Sequence, residues 1–317
     1  MAEAIRTDFR GPLVLVHELA KDFKHDLHLR LIVADQFEDR VNSVHSEYGI
    51  LRSAPYKQER EFITGIGITL VDTRSDAYQA SVILDGRLWD DNSAYNLVSR
   101  TYILCHEIGH VCQYGNGYGR LTDDETTIDG SFESELSFQA RILWDEYDAD
   151  ILATKMVRHC LRTGEGDCVN ISNFLSGGYV DAVKDILAEM IEFASCDVQT
   201  YRVYAIGLDD LLPKAKRMVG TLTLILGHLL GINIDGSDRD RICRLLRDLE
   251  GFDTYILPSW ERLINGLSYS TIAESKSTLV AVQREILWRL GLDAQDLEDG
   301  NIFVHVHKPL IISSGRA

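Results

Sequence analysis

Tyr102-Ile103-Leu104-Cys105-His106-Glu107-Ile108-Gly109-His110-Val111 (YILCHEIGHV, residues 102–111) organises both the fold and the chemistry of this chain. Leu97, Val98, Tyr102, Cys105 and Ile108 recur at helical spacing, and the preceding run DDNSAYN (90–96) supplies capping side chains, so a helix is predicted from about Ser93 to Gln113. On such a helix His106 and His110 lie one turn apart, and their rings can reach a single metal ion. Glu107 sits beside that face, where it can take a proton from a water activated by the metal. Gly109 costs a helix about 1 kcal/mol relative to alanine, which points to tight packing or a nearby ligand.

Working outward toward the N-terminus, Gly65–Val71 (GIGITLV) and Tyr78–Leu84 (YQASVIL) read as neighbouring strands separated by a polar segment. The second is expected at the edge of the cleft, where an extended substrate can pair with its backbone. Residues 12–34 read as a short helix followed by a strand, and Ala34–Tyr48 as an amphipathic helix with Phe37, Val41 and Val44 on one stripe.

Toward the C-terminus, Tyr114–Asp129 reads as a loop and Ser131–Leu161 as a second long helix. That helix matters because a catalytic zinc takes three protein ligands, and VCQYGNGYGR after His110 brings no third histidine. Within WDEYDAD (144–150), Glu146 and Asp150 are one turn apart on a shared face. Glu146 is the leading third ligand, with Asp145, Asp148 and Glu135 as alternatives. Asp150 can accept a hydrogen bond from the second ring nitrogen of a ligating histidine. Ala149 and Ala153 keep the surface narrow enough for the two helices to approach.

Taken together, YILCHEIGHV and EYDADILA resemble the glutamate-ligand zinc peptidases, the gluzincins, over about residues 65–160. The pattern is similar to the heat-shock and prenyl-protein-processing metallopeptidases, and to the compact phage-immunity and radiation-response peptidases. The resemblance implies that His106, His110 and Glu146 bind one Zn(2+) per chain, that Glu107 is the general base and that Asp150 supports the site. The expected activity is zinc-dependent endopeptidase cleavage of a protein or peptide substrate. The alternative is a zinc-binding regulatory or sensor protein whose helical part binds a regulatory partner.

The composition narrows the function classes. With 49 acidic against 32 basic residues, the net charge of -17 repels phosphate backbones, and nucleic acid is not an expected partner. Hydrophobic residues make up 45% and charged ones 26%, a globular balance. Six cysteines without a CxxC pair, and an N-terminus that does not read as a secretory signal, lead to an expected cytoplasmic location. Met218–Ile234 is uncharged over 17 residues but contains His228 and interior glycines; it reads as a buried core helix, with no stable membrane insertion expected.

Beyond residue 178 helices are expected at about 179–195, 209–231, 237–249, 258–266 and 270–291, with a strand or extended tail at 302–312. The fold class is therefore α+β: a zincin-like core with a small β-sheet and the HExxH helix, then a mainly helical C-terminal region. The composition shift through GEGDCVNISNFLSGG divides it into domains at 1–165 and 166–317. An imidazole inside an apolar helix needs a polar partner, which makes His228 either a satisfied core histidine or a donor to the reaction's oxyanion.

Overall fold

The computed structural model describes residues 2–23, 26–49, 55–57, 66–72, 78–90, 96–115, 131–161, 165–202, 207–233, 236–269 and 271–310. Most of the expected loop at 114–129, the centre of the polar segment at 72–77, and 91–95 of the capping run lie outside them.

Chain contacts divide the protein into two units, Met1–Arg120 with Asp148–Leu175, and Leu121–Tyr147 with Ser176–Ala317. The first contains helix α1 (Ala2–Leu19), strand β1 (Leu27–Ala34), helix α2 (Phe37–Glu47), strands β2 (Gly67–Asp72) and β3 (Tyr78–Asp85), and helix α3 (Leu97–Gly115). It also takes the C-terminal part of helix α4 (Phe132–Leu161), one unbroken helix whose N-terminal part belongs to the second unit.

The three strands form one sheet in the order β1-β3-β2. β1 runs parallel to β3, from Leu27 opposite Tyr78 to Ala34 opposite Asp85, and β2 runs antiparallel, from Gly67 opposite Leu84 to Asp72 opposite Gln79. Strand alternation then assigns the faces. Ile32, Ile83 and Ile68 share a row and pack with Phe37, Val41 and Val44 of α2. Leu31, Val82 and Thr69 share the neighbouring row and point to the other face, as side chains one residue apart must. α3 packs on β2 and β3.

This topology corrects one expectation. β3 is paired on both sides, so its backbone cannot receive a substrate; among the described residues β2 is at the edge of the sheet, and its Thr69 bonds Glu107 of the HExxH helix. The sequence carries little sign of this, since Ser81 and Asp85 interrupt the apolar run; it is pairing and packing on both sides that bury Ala80–Asp85 without interruption.

The second unit is helical, with a terminal hairpin. Helix α5 (Glu165–Glu192) starts in the first unit and continues through a π-helical turn, Phe193–Asp197, into α6 (Val198–Arg202). Then follow α7 (Leu208–Ile232), α8 (Gly236–Arg247), α9 (Phe252–Tyr255), α10 (Leu257–Leu267) and α11 (Ile272–Arg289). Strands β4 (Leu292–Asp296) and β5 (Ile302–Val306) pair antiparallel. α7 is the one described helix long and apolar enough to cross a membrane, and 72% of its apolar window is buried inside the protein. Met218, Leu222, Ile225, Leu226 and Leu229 supply that buried face.

The hairpin also fastens the start of α4. Asp296 accepts hydrogen bonds from the backbone N–H groups of Phe132 (2.6 Å) and Glu133 (2.9 Å), which otherwise lack partners at a helix N-terminus. Arg284 bonds Glu133 and the carbonyl of Ala294, and lies over the Phe132 ring.

Candidate metal centre

α3 begins where Asn96 caps it, its side-chain oxygen accepting from the Ser99 N–H at 3.0 Å. About three and four turns later it delivers His106 and His110, with ring centroids 4.9 Å apart and planes at 89°. Two imidazoles bound through nitrogen to one tetrahedral zinc have centroids about 5 Å apart, so the pair is already at chelating separation.

Each ring is held from behind. His106 Nδ1 lies 2.7 Å from Asp150 Oδ1, which also accepts from the Tyr102 hydroxyl at 2.6 Å. Asp150 is 1% exposed, so its carboxylate is kept in place by these donors and not by water. His110 Nδ1 lies 2.9 Å from Gln113 Oε1, and the Gln113 amide donates to Asp148 Oδ2 at 3.1 Å. An acceptor at Nδ1 fixes the tautomer with its proton there, and Nε2 then carries the lone pair that a metal binds.

The same contacts dock α4 on α3. At Gly109 an added Cβ would lie 3.0 Å from Ala149 Cα and 3.1 Å from Ala149 O, so the missing side chain lets the two backbones touch. Ala149 and Ala153 are fully buried. One turn before Asp150 on this continuous helix stands Glu146, and ligand atoms of His106, His110 and Glu146 all lie within 4.8 Å of one another. The other acidic candidates on α4 have different partners: Asp148 holds Gln113, Asp145 lies 3.4 Å from Arg141, and Glu135 pairs with Lys216.

Glu107 is 6% exposed and is set by β2. The Thr69 hydroxyl lies 2.8 Å from both Glu107 Oε2 and the Glu107 carbonyl. At Gly67, a Cβ would come within 2.7 Å of Glu107 Oε1, so glycine leaves room for the carboxylate. A polar side chain and a glycine on one edge strand thus define the position of the acid.

His228, on α7, has Nε2 3.9 Å from Glu146 Oε2 and stacks on Tyr179, with ring centroids 5.1 Å apart and planes at 12°. Its neighbour Gly227 faces Leu143 so closely that a Cβ there would meet Leu143 Cδ1 at 2.4 Å, which lets α7 press against α4. Tyr147 is turned elsewhere, its hydroxyl bonded to Arg239 at 2.8 Å. Cys105 and Cys112 are buried, and burial, followed by the nearby charge of Asp148, pushes the Cys112 thiol up to about 12; it stays protonated and is a poor metal ligand.

Tyr102, Gln113, Thr69, Gly67 and Tyr179 are the parts of this arrangement that sequence reading did not single out. Two carried a usable signal: Tyr102 is four residues before His106 and Gln113 three after His110, spacings that place them on the same helix face. Thr69, Gly67 and Tyr179 come from distant segments and have no local signature. Comparison with protein-family models, curated proteins and solved structures returns no match to this chain, so its function is argued from these residues.

Proposed function

We propose that this chain is a zinc-dependent endopeptidase with a zincin-type core, water-soluble and cytoplasmic, acting on a protein or peptide substrate. The observation that carries the reading is the convergence of His106, His110 and Glu146, with Glu107 next to the first histidine. The donor set suits zinc: two neutral imidazoles with their tautomers fixed, and a carboxylate 25% exposed in its side chain. A purely structural zinc site is closed by four protein ligands and has no use for a carboxylate beside it.

Bound by these three side chains, zinc would act as a Lewis acid toward a water and toward the substrate carbonyl. Glu107 takes the proton that the water loses and returns it to the departing amine. Thr69 keeps this carboxylate in one orientation between the two transfers. His228, braced by Tyr179, is the candidate donor to the oxyanion formed at the carbonyl carbon. The outer edge of β2 has no strand partner among the described residues, and β2 is the strand bonded to Glu107, so an extended peptide added along it would run past the acid.

The test is a comparison of new N-termini generated in a cell extract by the wild-type protein and by Glu107→Gln, both loaded with zinc. Cleavages present only with the wild type support an endopeptidase. The same termini from both proteins would remove Glu107 from the chemistry and the reading with it.

A further inference from the structure

The C-terminal hairpin carries a second histidine pair, on a strand instead of a helix. His305 lies on β5 and His307 directly follows its last residue, Val306, with its backbone N–H still bonded to the Gly291 carbonyl at 2.9 Å, so the extended backbone carries both rings to the same side, and Asp293 of β4 is directly opposite His305. The rings stack with centroids 6.0 Å apart and planes at 24°. Trp288, at the end of α11, closes the other side of His307 at 5.2 Å.

His307 is the informative member. Its Nδ1 lies 3.1 Å from the Lys308 carbonyl, which places the ring proton on Nδ1 and the lone pair on Nε2. That Nε2 atom is shielded from solvent and has no hydrogen-bond partner among the described residues. An imidazole nitrogen covered by aromatic rings and left without a donor is an unfavourable arrangement that a ligand would relieve. His305 and Asp293 are both exposed, so their side chains turn at little cost.

We infer that His305 and His307, assisted by Asp293, form a transition-metal site that takes copper(II), separate from the centre on α3 and α4. The ring separation exceeds that of two imidazoles on one ion by about 1 Å, an adjustment within reach of a rotation of His305. The same rotation of His305 uncovers His307 Nε2, and the exposed His305 and Asp293 leave room for water ligands, a set that suits a tetragonal ion. Among the divalent first-row ions, copper(II) heads the affinity order for such donors. Trp288 makes the site self-reporting, because a paramagnetic ion on His307 quenches the adjacent indole.

The experiment titrates copper(II) chloride into the full-length protein, supplemented beforehand with one equivalent of zinc, and follows tryptophan fluorescence together with the copper electron paramagnetic resonance spectrum. The inference predicts a saturable quench at one copper per chain and a spectrum with two coupled imidazole nitrogens. Both are lost in His305→Ala and in His307→Ala and kept in His106→Ala. Trp288→Phe loses the quench and keeps the two-nitrogen spectrum. Absence of saturable binding, a quench that survives in His305→Ala or His307→Ala, or an undiminished quench in Trp288→Phe overturns it. Loss of the two-nitrogen spectrum in His106→Ala would assign the copper to the other centre and overturn it as well.

Discussion

Gly109→Ala places a methyl group where α3 and α4 touch. Its carbon would lie 3.0 Å from Ala149 Cα, 3.1 Å from Ala149 O and 3.2 Å from Ala149 Cβ. Two of those atoms are backbone and cannot turn aside, so the helices must separate by about 0.5 Å to restore ordinary carbon contacts. Overpacking of this kind costs about 1–3 kcal/mol, and the better helix propensity of alanine returns about 1 kcal/mol. The expected net is a destabilisation of about 1 kcal/mol, or a Tm lower by about 2 °C.

The larger effect falls on the metal. Separation of the helices stretches the 2.7 Å contact between His106 and Asp150 and moves Glu146 with its helix, so zinc affinity drops by about tenfold, the scale on which lost support behind a ligand is felt. Gly220→Ala is the control: its Cβ would also have a neighbour at 3.0 Å, but this is the side-chain amide of Gln139, which can rotate. Thermal unfolding and zinc competition against a chelator, run on both variants, decide the matter. If Gly109→Ala is as well tolerated as Gly220→Ala in both assays, close approach of the backbones is not what builds the site.

Asp150→Asn keeps the shape but replaces a carboxylate that accepts from both Tyr102 and His106; zinc affinity is expected to fall about 10–100-fold, measured by chelator competition. Glu285 supplies a pH-dependent prediction. Burial acts to raise its pKa but is outweighed by the hydrogen bond from Arg289 and by the charges of Arg262 and Arg289, which hold it below the usual carboxylate value. A carboxyl depressed in the folded state contributes stability above its unfolded pKa of about 4.3 and loses it as pH falls through the folded value. Glu285→Gln should therefore be less stable than wild type at pH 7, with the gap closing as denaturation is measured at successively lower pH below about 4. A gap that stays constant over that range would contradict the assignment.

What could be read directly from the sequence is what local periodicity controls. The spacing of Leu97, Tyr102, Cys105 and Ile108 defines α3, and the four-residue intervals between His106 and His110 and between Glu146 and Asp150 follow from helix geometry alone. Strand pairing is non-local: the alternation in Tyr78–Leu84 marks a strand, but only its pairing with β1 on one side and β2 on the other makes it central and not an edge. β4 was not foreseen, because Leu292–Asp296 lacks β-branched residues and owes its conformation to pairing with β5. Gly177 and Gly178, which suggested a break, lie within α5; a Cβ at either would meet nothing, so packing does not require glycine there. The settings of Glu107 by Thr69 and of His228 by Tyr179 depend on segments far apart in the chain, beyond the reach of any spacing rule.

The most direct measurement is the metal content of the purified protein and four variants. The account predicts one zinc per chain in the wild type and in Glu107→Gln, and its loss in His106→Ala, His110→Ala and Glu146→Ala. Full zinc occupancy in Glu146→Ala, or no zinc in a folded wild-type protein supplied with the ion, would contradict it.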